Sequence, residues 1–335
     1  MRCEGGMSFS SQKQSKPGGG GGLQIVGTNR PQGQQGQQVG SGEDSGTQER
    51  AAQGASSVAA VAGPVPPAEP VRGRQVRSCG DEFYRTAMHL LREAGVEFLV
   101  GGAYALRAYS DITRDTKDFD IFVREADVAG IVDLFRGAGY RSGLPFPHWL
   151  GKIHLGENFI DLVFRAGNGL CAVDERWFAS APVAELLGVE VRLVPPEFII
   201  WQKAYVMERE RYDGADVAHI LRSCAGRMDW ALLVELFGPD WRVLFNQLIL
   251  FGFIYPGERD LVPAAVMREL LERLRVEIDS EPSRERICRG TLISREQFLP
   301  DVDRWGYADA RLDGRCCIDE AQIRHWTEAI GRPDQ

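Results

Sequence analysis

The segment Lys117-Asp118-Phe119-Asp120-Ile121-Phe122-Val123 constrains the fold more than any other stretch of the chain. Its apolar and acidic residues alternate with the period of a β-strand. Side chains two apart in a strand share a face, so Phe119, Ile121 and Val123 enter a core while Asp118 and Asp120 project together from the other side. Two adjacent carboxylates repel unless a cation lies between them. A divalent metal held by such a pair is the usual machinery of phosphoryl transfer.

The surrounding pattern supplies the rest of a small sheet. A helical stripe over Asp81 to Ala94 ends at Gly95, and a strand over Val96 to Val100 runs into Gly101-Gly102. A short helix, Ala103 to Tyr109, and a polar loop, Ser110 to Lys117, lead to the acidic strand, which a helix over Glu125 to Arg136 follows. Lys152 to Leu155 and Phe159 to Phe164 read as an antiparallel hairpin turning at Glu157-Asn158, and Val183 to Leu187 with Val189 to Val194 as another. Beyond Pro195-Pro196 the pattern is helical: Glu197 to Arg211, Asp213 to Ser223, Asp229 to Phe237, Asp240 to Phe251 and, further on, Pro263 to Ile278. The expected class is therefore α/β (α+β), a small mixed β-sheet flanked by helices and followed by a helical bundle. The rest of the segment beyond Gly257 reads as polar and irregular.

Composition divides the 335 residues unevenly. Residues 1–78 hold 16 of the 38 glycines and a single aromatic, Phe9. Such a stretch buries too little apolar surface to offset its ordering entropy, so a disordered tail is expected there. The remaining expected units are a core over 79–195, a helical domain over 196–256 and an extension over 257–335. Of the 39 Lys and Arg and 47 Asp and Glu, 8 and 5 fall in the tail, leaving 31 against 42 and a net −11 on the body. An acidic body argues against broad non-specific nucleic-acid binding. Seven scattered cysteines without a Cys-x-x-Cys, and no apolar leader, point to reduced thiols in the cytoplasm. The most apolar stretch, Leu244 to Tyr255, is too short to span a bilayer, so no membrane association is expected.

Phosphoryl transfer needs neutralised oxygens, an aligned nucleophile and a stabilised leaving group, which two divalent ions can supply. Asp161, a lone charge in the apolar strand Phe159 to Phe164, is the candidate third carboxylate. Gly101 and Gly102 allow close backbone approach to a ligand, and the helix after them offers free N–H groups to phosphate. Arg114 and Lys117 stand where they can reach a triphosphate. Each residue also has a structural reading: Asp161 pairing with Lys152 or Arg165, Lys203 snorkelling, Asp213 capping a helix, Asp216 pairing with His219. No Gly-x-x-x-x-Gly-Lys-Ser/Thr, no Gly-x-Ser-x-Gly and no zinc-spaced Cys/His set is present.

Val100-Gly101-Gly102, Arg114, Thr116, Lys117-Asp118-Phe119-Asp120 and Ile160-Asp161-Leu162 together resemble the polymerase-β-like nucleotidyltransferase superfamily. The resemblance implies transfer of a nucleoside monophosphate from an NTP to a hydroxyl, with two Mg²⁺ and release of pyrophosphate. It implies that Gly101 and Gly102 hold the triphosphate, that Asp118 and Asp120 bind metal, and that Asp161 binds metal or activates the acceptor. Lys203 and the pair Asp213 and Asp216 further resemble the abortive-infection type toxin nucleotidyltransferases, which implies a catalytic Lys203, nucleotide-site aspartates and an antitoxin partner. The acceptor is left open between tRNA, protein and a small molecule. Two other functions are compatible with the residues: a non-catalytic binding module of the same fold, and a metal-dependent phosphohydrolase.

Overall fold

The computed structural model describes residues 79–114, 116 and 118–330. The tail read at 1–78 and the cofactor-binding role read for Lys117 lie outside the described residues.

The amphipathic helix α1 (Cys79–Glu93) ends at Gly95, which has a left-handed φ of 69°. β1 (Leu99–Val100) passes through Gly101 into α2 (Gly102–Ser110), and β2 (Asp118–Phe122) leads by a helical turn into α3 (Val128–Gly137). β3 (Arg141–Phe146), β4 (Leu150–Leu155) and β5 (Asn158–Val163) form a meander. α4 (Glu175–Ala179) precedes the hairpin of β6 (Val183–Leu186) and β7 (Val189–Arg192). The five-stranded sheet has the order β1-β2-β5-β4-β3. β2 and β5 are parallel, while the other neighbours are antiparallel.

Strand parity sorts the two faces as the acidic strand demands. Phe119, Ile121, Val123, Ile153, Ile160 and Leu162 are buried in one core with α1 and α3. Each fully buried side chain of this kind contributes on the order of 2 kcal/mol. Phe122, Leu150 and Val163 face the other way, into a core shared with the helical half. The acids alternate with the first set, so they emerge on the side of the sheet that meets those helices.

That half contains α5 (Pro196–Lys203), α6 (Gly214–Cys224), α7 (Trp230–Phe237), α8 (Trp241–Ile254) and α9 (Ala264–Ile278). The sequence pattern places one helix over Glu197 to Arg211, but α5 stops at Lys203. The backbone beyond it is taken by another partner: Met207 N–H donates to the Ile293 carbonyl at 3.0 Å, and Asp213 N–H to that of Val206 at 3.2 Å. The C-terminal stretch also has more order than its polar composition suggests. It forms β8 (Ile287–Cys288), α10 (Leu299–Asp303), β9 (Ala308–Asp309) and α11 (Glu320–Glu328). A capping box between Asp319 and Gln322 starts α11. No helix of the described residues is long and apolar enough to cross a membrane.

Candidate active site

Asp120 and Asp161 are register partners on the parallel strands β2 and β5, and Asp118 lies one pleat away on the same face. One carboxylate oxygen from each of the three lies within 4.8 Å of the others. Thr116 steadies the start of the strand, its hydroxyl accepting from the Asp118 N–H at 3.3 Å. Burial, then the negative charges of Asp161 and Asp118, push the Asp120 carboxyl up to about 7. An anionic cluster under that strain fits a hard divalent cation, and its donors are all oxygen.

Gly101 and Gly102 form the elbow against this cluster. Gly101 N–H donates to the Asp120 carbonyl at 3.0 Å, and its own carbonyl accepts from Ala105 N–H as α2 begins. Gly102 has φ 54°, and a Cβ on it would collide with the Asp120 carboxylate. The glycine pair thus brings the backbone and the start of α2 directly beside the acids, where N–H groups without an intrahelical partner face outward.

Lys203, Asp213 and Asp216 meet as an ion-paired triangle. Lys203 Nζ lies 2.7 Å from Asp213 Oδ2 and 2.9 Å from Asp216 Oδ2. Arg114 also pairs with Asp216, and Arg211 with Asp213 at 2.8 Å. Burial alone would raise the Asp213 carboxyl, but Arg211 and Lys203 outweigh it and hold it down to about 2. Three structural readings are corrected here. Lys203 does not snorkel, because two buried carboxylates hold it. Asp213 sits at the N-cap of α6 without a side-chain capping bond, since Lys203 and Arg211 occupy its oxygens. Asp216 turns to Lys203 and Arg114 rather than to His219.

The pairing read between Asp161 and Lys152 is present: Lys152 Nζ lies 3.3 Å from Asp161 Oδ1, across the β4–β5 register. Lys152 also sits over the Phe159 ring at 4.0 Å. Arg165 pairs instead with Glu125.

The glycine elbow, the three acids, Arg114, Thr116 and the Lys203 triangle line one cleft of about 460 Å³, a size suited to small-molecule ligands. Its remaining wall was not foreseen. Trp149, Thr291 to Arg295 and Trp326 complete it, together with Glu208 and Arg211. Residues 291–326 lie more than 120 positions after Asp161, and nothing in their local pattern marks them as part of a site.

Residues 81–236 match the family model described as a nucleotidyl transferase of unknown function (DUF2204). The match contains the glycine elbow, the three acids and the Lys203 triangle, and stops before the C-terminal wall. No curated protein matches the chain. Similar solved structures include the antibiotic-resistance factor ANT(2'')-Ia, 18% identical over 50% of this chain and 94% of that one, with a TM-score of 0.34. The lincomycin-bound lincosamide antibiotic adenylyltransferase LnuA is 12% identical over 43% and 96%, with a TM-score of 0.32. An antigenic nucleotidyltransferase-like protein from Paracoccidioides brasiliensis is 14% identical over 56% and 96%, with a TM-score of 0.36.

Proposed function

We propose that the chain is a cytoplasmic, magnesium-dependent nucleotidyltransferase that moves a nucleoside monophosphate from an NTP to an acceptor hydroxyl and releases pyrophosphate. The observation that carries this reading is the convergence of Asp118, Asp120 and Asp161 beside Gly102.

Asp118 and Asp120, with Asp161, would hold two magnesium ions. Bound there, the metal supplies charge neutralisation of the phosphate oxygens and polarisation of the α-phosphorus. Gly101 and Gly102 let the triphosphate approach the backbone, and the start of α2 donates N–H groups to it. Arg114 and Lys203, with Lys117 three residues after Arg114, add positive charge. Asp213 and Asp216 hold Lys203 in place. Asp161 accepts the proton of the acceptor hydroxyl. The new bond joins acceptor oxygen to α-phosphorus, the bond from α-phosphorus to the β-bridging oxygen breaks, and pyrophosphate carries away that electron pair.

The Lys203 triangle is also what the abortive-infection type assignment rests on, so a toxin with an antitoxin partner is the finer form of the proposal. One observation favours a second reading. The Lys152 ammonium already neutralises part of the acidic cluster, as an internal cation would in a non-catalytic binding module. Calorimetric titration of Mg²⁺ and each NTP separates them. Heat with Mg²⁺-NTP followed by pyrophosphate release supports the transferase. No heat with any nucleotide supports the module, and release of free phosphate supports a phosphohydrolase.

A further inference from the structure

The order of the sheet gives the cleft a direction. The glycine elbow lies at the β1 edge, Asp118 and Asp120 come next, then Asp161, then β4 and finally β3 at the far edge. In an in-line displacement the nucleophile enters opposite the leaving group. If the β- and γ-phosphates rest on the glycine elbow, the acceptor enters from the Asp161 side.

What stands on that side is the C-terminal wall. α11 docks on the far edge, with His325 Nε2 2.9 Å from the Pro145 carbonyl. This docking puts the Trp326 indole over Gly167, where a Cβ would collide with it. The Trp326 ring stands edge-on to Trp149, with centroids 6.3 Å apart, and the Arg295 guanidinium lies 5.3 Å over it. The Leu292 carbonyl is fixed by Asn168 Nδ2 at 2.8 Å. The wall is thus a rigid aromatic and aliphatic surface.

Its polar groups narrow the ligand further. Glu208 and Glu210 are both engaged by Arg295, at 3.4 and 3.1 Å, and Glu208 also accepts from Ser294 at 3.0 Å. Among the described residues, the wall's own carboxylate, Glu208, is thus already committed, which disfavours a polycation. Trp149 and Trp326 both line the cleft, so indole surface meets whatever enters it.

We propose that this wall is the acceptor subsite, and that it takes a small, uncharged ring compound carrying the hydroxyl that becomes nucleotidylated. Trp326 and Trp149 supply the aromatic surface it rests against. This rests on the transferase reading above and names its substrate class. RNA and protein acceptors are the competing outcomes.

The test uses the full-length protein with Mg²⁺ and each of four α-labelled NTPs. One cell extract is divided into a small-molecule filtrate, an RNA fraction and a protein fraction. The expected result is labelled product in the filtrate. Trp326→Ala should raise the filtrate concentration needed for half-maximal transfer about tenfold, the loss of one aromatic stack, while Mg²⁺-NTP affinity stays within about twofold. Trp326→Phe should recover most of the loss, and thermal unfolding together with the unchanged Mg²⁺-NTP affinity shows that Trp326→Ala is folded. Trp149→Phe, which keeps an aromatic ring but loses part of the indole surface, should weaken transfer in the same direction. Label on RNA or protein, label nowhere despite intact NTP binding, or a Trp326→Ala defect in NTP affinity would each overturn the assignment. Absence of Mg²⁺-NTP binding in the unaltered protein would instead remove the transferase reading itself.

Discussion

Gly102 approaches the carboxylate of Asp120 so closely that no side chain larger than hydrogen fits between them. The glycine also has φ 54°, so its identity is fixed twice, by space and by backbone conformation. The close fit ties the turn of the elbow to the geometry of the acidic cluster.

Gly102→Ala should therefore displace Asp120 rather than leave it in place. The expected result is a stability loss of about 1–2 kcal/mol, from the left-handed backbone and the collision together, and Mg²⁺-NTP binding weakened at least tenfold. Thermal unfolding and calorimetry measure the two effects. Glycine-to-alanine at Gly137, in α3 where a Cβ meets nothing within 4 Å, should leave Mg²⁺-NTP binding unchanged and stabilise the fold by about 0.4–1 kcal/mol.

Asp120 gives the metal-free protein a pH signature. Its carboxyl is raised from 3.8 to about 7 by burial and by Asp161 and Asp118, so between those values the folded chain keeps a proton that the unfolded chain has released. The stability this contributes is complete below 3.8 and is lost as the pH rises through about 7. In EDTA at pH 8, Asp120→Asn should be more stable than the parent by on the order of 2 kcal/mol, and the difference should vanish near pH 4. Mg²⁺ should raise the melting temperature of the parent more at pH 8 than at pH 5.5, because metal and proton compete for the same oxygen. A uniform Mg²⁺ effect across that range would count against the site.

Lys203 holds two buried carboxylates at once. Lys203→Met should cost about 2–3 kcal/mol at neutral pH, since Asp213 and Asp216 keep only Arg211 and Arg114 as partners. The sign follows from Asp213, whose carboxyl is held down to about 2. Its stabilisation is present above 3.8 and fades as pH falls through 2, so parent and variant should converge under strong acid. Chemical denaturation at pH 7 and pH 2.5 checks this.

The acidic strand, the elbow and the third carboxylate were legible in the sequence because each rests on a local rule. Alternation in β2 sets the face of Asp118 and Asp120, and an isolated Asp161 among apolar residues signals a polar task. The β4–β5 hairpin then puts Lys152 across from Asp161, so that pairing was legible as well. The end of α5 was not, because Ala204 to Val206 continue an acceptable helical pattern. Only the distant carbonyl of Ile293, which takes the Met207 N–H, turns the chain there. The wall at Trp149 and Trp326 was hidden for the same reason. Contacts between residues 149, 167, 295 and 326 follow from how α11 docks on β3, and no short-range pattern encodes that docking.

The most direct test of the central claim is Mg²⁺-dependent release of pyrophosphate from α-labelled NTPs by the parent protein, Asp118→Asn and Asp120→Asn, with folding of each verified by thermal unfolding. The parent should release pyrophosphate together with a labelled product, and both variants, though folded, should be slower by roughly three orders of magnitude. Equal rates in all three proteins would contradict the account.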